Sequence, residues 1–162
     1  MPFPTPFDLY RGRVLPAWID SNDHMNLAYY VVLFDLAGDL AYNRFGLGPL
    51  GDYKARTNFG TMAVESHNLY VQELLLDEEV KVVTQILAVD DKRIHMAHEM
   101  YRLPDNTLAA MQELMLLHVD LGRRKVTPWP ADIRALLDEA AEAHKMLKVP
   151  DWVGRRIAMP VR

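Results

Sequence analysis

The chain has 162 residues, 50% of them hydrophobic, and a formal net charge of −4. That length supports one domain, 1–162, with its own core, and the acidic balance argues against a nucleic-acid partner. The absence of cysteine excludes disulfides, thiol nucleophiles and thiolate metal sites, and it fits a reducing compartment.

The opening "MPFPTPFDLYRGR" lacks the basic-then-apolar pattern of a signal peptide. No run reaches the roughly 18 apolar residues of a membrane span, so a cytoplasmic protein with no membrane contact is expected. Charge is unevenly spread. Residues 121–162 carry nine Lys and Arg against five Asp and Glu, while residues 1–120 carry nine against seventeen. The basic excess includes "GRRK" at Gly122–Lys125 and "GRR" at Gly154–Arg156. Such a patch suits a phosphorylated small molecule, and it suits a solvated tail about equally well.

In chain order, "DLYRGRVLP" (Asp8–Pro16) reads as a first strand stopped by proline. In "NLAYYVVLFDLAGDLAYNRFGLG", apolar residues recur at Tyr29, Val32, Leu33, Leu36, Ala37, Leu40 and Ala41. That is helical spacing, with Asp35, Asp39 and Asn43 on a narrow opposite stripe, so a helix buried around most of its girth is expected. Asn26 or Asp23 can cap its start and Gly46 can follow its last turn. The stretch "LGPLGDYKARTNFGT" is rich in turn formers and reads as a loop.

Four strand-like segments follow, near Met62–Leu75, Glu79–Val89, Arg93–Leu103 and Thr107–Asp120. The short breaks "LLDEE", "DDK" and "PDN" require antiparallel neighbours. "TPWPADIRALLDEAAEAHKML" reads as an amphipathic helix with Ile133, Leu136, Leu137, Ala140 and His144 on one side. Only one sheet is large enough to cover the first helix. The fold class is therefore α+β: a hotdog architecture, with a curved antiparallel sheet of about five strands around one long helix, plus a C-terminal helix.

Chemistry concentrates at the mouth of the first helix, in "DSNDHMN" (Asp20–Asn26). A helix start offers unbonded N–H groups and a positive dipole end, which suit a developing oxyanion. The amides of Met25, Asn26 and Leu27 are candidates. A carboxylate just upstream can attack a carbonyl or activate water against it. Capping alone also explains Asp and Asn here, and is their commoner use.

"RVLPAWIDSNDHMNLAYYVVLF" (Arg13–Phe34) resembles the signature of hotdog acyl-CoA thioesterases of the 4-hydroxybenzoyl-CoA thioesterase type, R-V-x-x-x-D-x-D-x-x-G-H-V-N-N-x-x-Y. Arg13 and Val14 match the opening. Asp20 falls on the second Asp, which is the family's catalytic carboxylate, His24 and Asn26 on the His and first Asn, and Tyr30 on the Tyr. Trp18, Asp23 and Leu27 depart from the pattern. Asp23 replaces a glycine, and Asp tolerates left-handed backbone angles better than most residues. "P-x-W-x-D-x-N-x-H-M-N-x-A-Y-Y", "ESHNLYVQEL" and "LLHVDLGRRKVTPWP" are similar to a branch associated with carnitine and betaine catabolism, the betainyl-CoA thioesterase-like proteins.

The resemblance implies hydrolysis of an acyl-CoA thioester, with catalytic Asp20, His24 and Asn26 and an oxyanion hole from the amides of Met25 and Leu27. It implies no metal and no cofactor beyond the CoA of the substrate. It implies a homodimer or dimer of dimers with CoA lying across the interface, its phosphates near Arg123, Arg124 and Lys125. Glu65, His67 and Glu73 are the polar candidates to complete the site from a second subunit. Trp18, Tyr29, Tyr30 and Tyr70 could box a quaternary ammonium acyl group, or simply pack. His95 and His98, three apart on a strand, should face opposite sides, and His118 reads as a satisfied core histidine. Two other functions compete. A hydratase or dehydratase on the same fold would carry D-x-N-P-x-H, whereas this chain has D-x-N-x-H without the proline. A non-catalytic acyl-thioester binding module would not need Asp20.

Overall fold

The computed structural model describes residues 3–159. Strand β1 (Phe7–Arg13) leads through a 3-10 turn at Pro16–Trp18 to helix α1 (Leu27–Arg44). Helix α2 (Leu50–Thr57) follows, then β2 (Phe59–Tyr70), β3 (Glu79–Val89), β4 (Arg93–Leu103), β5 (Thr107–Asp120), the two-residue β6 (Lys125–Val126) and α3 (Ala131–His144). The sheet is antiparallel in the order β1-β3-β4-β5-β2, and β6 pairs with the end of β5. This is the curved sheet around a long helix that element order and apolarity predict.

β3, β4 and β5 occupy the residues expected. β2 starts earlier than Met62 and stops at Tyr70, short of Leu75. The larger correction is α2, which forms inside the stretch expected to be a loop. Its turn formers are its boundaries rather than its body: Pro49 precedes it and Asn58 closes it at φ 57°. Asp52 in the first turn, with Lys54 and Arg56 in the last, complements the helix dipole. Tyr53 anchors it, buried, with its hydroxyl 2.9 Å from His118 Nε2.

α1 lies along the sheet and buries Tyr30, Leu33, Phe34, Ala37, Ala41 and Tyr42. Leu33 and Phe34 are fully enclosed, each stabilising the fold by about 1.5–3 kcal/mol relative to exposure. The start of α1 packs on Val80, Val82, Met100 and Ala110, and its end on Ile86, Ile94, Met96 and Leu116. The expected burial around most of the girth is not met within one chain. Val32, Leu36 and Leu40 are each more than a third exposed and Leu27 is 62% exposed. The physical reason is coverage: the sheet curls over one side of a helix that is apolar on two.

The far edge of the sheet, β2, contains no buried residue along its twelve positions. The sheet also separates histidines as strand alternation requires. His95 bonds Glu113 at 2.7 Å, whereas His98 faces α1, its ring 5.9 Å from Phe34. His118 is a satisfied core histidine, held by Tyr53 and by the carbonyls of Thr127 and Pro128 at 3.0 Å.

His98 is fully buried, with Nδ1 2.8 Å from Thr84 Oγ1 and no partner for Nε2. Burial pushes its imidazole down from 6.5 to about 4, and burial lowers His118 and His144 as well. The folded chain therefore binds these protons less tightly than the unfolded chain. For His98, stability is greatest above pH 6.5 and falls progressively as pH drops from 6.5 to about 4. Thermal midpoints should climb between those limits, and His98→Gln should remove much of the slope, on the order of 3 kcal/mol at most. A slope unchanged in that variant would show that His98 does not set it.

Candidate active site

The residues before α1 form a compact loop, closed by an antiparallel bridge between Ile19 and Met25. The Asp20 N–H donates to the His24 carbonyl (3.0 Å) and the Asp23 N–H to the Asp20 carbonyl (3.1 Å). Asp23, in the place of the signature glycine, sits at φ 61°, so the left-handed turn survives the replacement.

Asn26 has two functions at once. Its Oδ1 accepts from the Ala28 N–H (3.0 Å) and caps α1. Its Nδ2 donates to Asp20 Oδ2 at 3.4 Å, a long bond. Asp20 Oδ1 accepts from the Asn22 N–H (2.8 Å) and lies 3.8 Å from His24 Nε2. The Asp20 side chain is 22% exposed, so the carboxylate is oriented by its neighbours yet open at one side. The structure thus brings Asp20, His24 and Asn26 together.

The helix-start amides divide. Met25 donates to the Leu74 carbonyl (2.8 Å) and Asn26 to the Trp18 carbonyl (2.9 Å), so neither is open to a ligand. The Leu27 N–H has no acceptor among the described residues. The oxyanion candidates Met25 and Leu27 therefore reduce to Leu27.

Beside this amide lies a cavity of about 320 Å³ lined by His24, Met25, Leu27, Tyr30, Tyr70 and Glu73, with Val71 and Gln72. Tyr30 is buried there, its hydroxyl accepting from the Leu74 N–H at 3.1 Å and reaching the Gln72 carbonyl at 3.5 Å. Tyr30 thereby pins the segment after β2 against the loop before α1. Burial pushes its phenol up. Sequence reading missed Leu74, which joins both segments through its backbone; nothing in a leucine's side chain signals that.

Other candidates lie elsewhere within one chain. Trp18 and Tyr29 stack on each other (5.3 Å between ring centroids, 17° between planes) and do not line the cavity. Glu65 and His67 face the opposite side of the sheet, in a separate cavity of about 520 Å³ with His95, Glu113, Arg155 and Arg156. The pleat of β2 places them there. Arg123, Arg124 and Lys125 sit at the β5–β6 turn, where β5 ends beside the start of β2. Asp20 lies near the other end of β2, one α1 length away, roughly 27 Å by helical rise.

A family model for a thioesterase-like superfamily matches residues 14–137. The chain belongs to that superfamily. It is 34% identical to a betainyl-CoA thioesterase of Pseudomonas aeruginosa over 93% of this chain and 94% of that one. It is 32% identical to an L-carnitine dehydrogenase/betainyl-CoA thioesterase of Rhizobium meliloti over 94% of this chain, spanning only 30% of that longer protein. Among solved structures it resembles a candidate thioesterase of Pseudomonas putida (TM-score 0.82, 31% identity, 98% of this chain and all of that one). A Staphylococcus aureus protein solved in complex with CoA shares the fold (TM-score 0.84, 23% identity, 93% and 94% covered).

Because Asp23 is held at positive φ, Asp23→Gly should preserve the loop and change stability by no more than about 1 kcal/mol. Asp23→Val should cost more, since a branched side chain resists that conformation. Urea unfolding of the two variants checks this, and equal midpoints would show that the turn is not constrained.

Proposed function

We propose that this chain is an acyl-CoA thioesterase whose reaction centre is Asp20 and the Leu27 amide. The observation that carries the reading is a carboxylate held by Asn22 and Asn26 in the loop that leads into α1, whose first amide, Leu27, has no acceptor among the described residues, in a member of the thioesterase-like superfamily. The thioester carbonyl oxygen accepts from the Leu27 N–H, where the helix dipole favours the negative charge that develops. Asp20 either attacks the carbonyl carbon or takes a proton from an attacking water. Collapse of the tetrahedral species expels CoA as the thiol, and water supplies the oxygen of the free acid. Asn26 holds the Asp20 carboxylate and caps the helix, and His24 borders both carboxylate and cavity. The acyl group in this reading is the relatives' namesake, a betainyl group.

This reading includes a homodimer. β2 offers an open, unburied edge, and a symmetric pair would add two β2 strands antiparallel to each other. That pairing carries the Arg123–Lys125 turn of a second copy to the Tyr70 end of β2, where Asp20 lies. One CoA then spans the interface with its phosphates on that basic turn. The exposed apolar residues of α1 favour a partner as well.

Asp20→Asn should lower thiol release from acyl-CoA esters roughly 10²–10⁴-fold with the fold unchanged by circular dichroism. Near wild-type release in that variant would remove Asp20 from the mechanism. In sedimentation equilibrium at micromolar concentration, the protein should weigh at least twice its 18.6 kDa chain mass. A monomer that hydrolyses CoA esters would overturn the shared-interface arrangement.

A further inference from the structure

The cavity beside Leu27 has an unusual wall. Met25, Leu27 and Val71 make it apolar, and the rings of Tyr30 and Tyr70 meet there edge to face, centroids 5.2 Å apart at 74°. Glu73, an exposed residue, lines the same cavity, and its carboxylate makes no hydrogen bond or ion pair among the described residues. Glu73 is close enough to the Tyr30 phenol to help raise it. A carboxylate at the exposed side of an aromatic and aliphatic wall attracts a cationic acyl group placed against that wall and offers nothing to a neutral one. It repels an acidic acyl group.

From this geometry we infer that Tyr30, Tyr70 and Glu73 select an acyl group bearing a quaternary ammonium close to the thioester carbonyl. Such a cation has no N–H to donate, so hydrogen-bond acceptors do not recognise it. Aromatic faces and a nearby opposite charge do. The position fits: an acyl group whose carbonyl oxygen meets the Leu27 N–H has its first few atoms inside this cavity, because Leu27 also lines it. The Tyr70 hydroxyl, 3.5 Å from the Leu27 carbonyl, ties the more exposed ring to the helix start. Trp18 and Tyr29, stacked on each other, take no part. The selecting trio is thus one residue from α1, one from the end of β2 and one from the segment after it. Sequence spacing does not bring these together.

This inference rests on the thioesterase reading and is separable from it by one experiment. Thiol release is measured with betainyl-CoA and with 3,3-dimethylbutanoyl-CoA, which has the same shape without the charge. Because the cation also activates its own carbonyl, the informative quantity is the ratio of the two kcat/KM values and how it changes between variants. Glu73→Gln should lower the ratio roughly tenfold. Tyr70→Leu should lower it by a comparable factor, while Tyr70→Phe, which keeps the ring face, should hold it near the wild-type value. A ratio in Glu73→Gln equal to wild type would overturn the inference and leave the thioesterase reading intact. Equal losses on both substrates would also overturn it, by assigning Glu73 a structural role. Wild-type protein that is folded and releases thiol from neither ester would overturn the thioesterase reading, and this inference with it.

Discussion

The start of α1 is where the structure's constraints meet, and the double hydrogen bonding of Asn26 is the central one. A helix N-terminus must find partners for its first N–H groups or leave them to a ligand. Asn26 satisfies the Ala28 N–H with its oxygen and steadies Asp20 with its nitrogen. Leu74 takes the Met25 N–H and Trp18 takes that of Asn26. What remains is one amide, Leu27, facing a cavity. The same arrangement that stabilises the helix start therefore leaves the Leu27 donor open and orients the Asp20 carboxylate in the loop that leads to it.

That arrangement depends on long-range packing. The loop before α1 is held by the segment after β2, and the tie runs through Tyr30 and the Leu74 backbone. Tyr30 in turn is fixed because α1 lies in the curl of the sheet, with Leu33 and Phe34 enclosed beneath it. A shift of the helix by part of a turn would move the amide, the phenol and the carboxylate together. The site is placed by the core rather than by the loop alone.

The sheet covers α1 only on one side, and β2 ends the sheet with an edge that no described strand pairs. Both features make sense if the chain is half of a symmetric assembly. Under the proposed pairing of two β2 edges, the separation of Arg123–Lys125 from Asp20 within one chain becomes proximity between two chains.

Much of this was legible in the sequence. Apolar periodicity and short polar breaks determined the long helix, the antiparallel strands β3, β4 and β5 to their residues, and α3, because these signals are local and repeat along the chain. The Asp20–Asn26 motif and the tolerance of Asp23 for a left-handed turn were readable for the same reason. Helix α2 was not, because turn formers at its ends outweighed an eight-residue body whose stability comes from Tyr53 reaching His118. Nor could spacing show that Leu74, 48 residues beyond Asn26, claims the Met25 amide and so narrows the oxyanion donors to Leu27. The choice of Tyr30, Tyr70 and Glu73 over Trp18 and Tyr29 around one cavity is of that kind too. Local pattern sets what each segment becomes, whereas the partners of its polar groups and the faces of its rings are chosen only when distant segments pack.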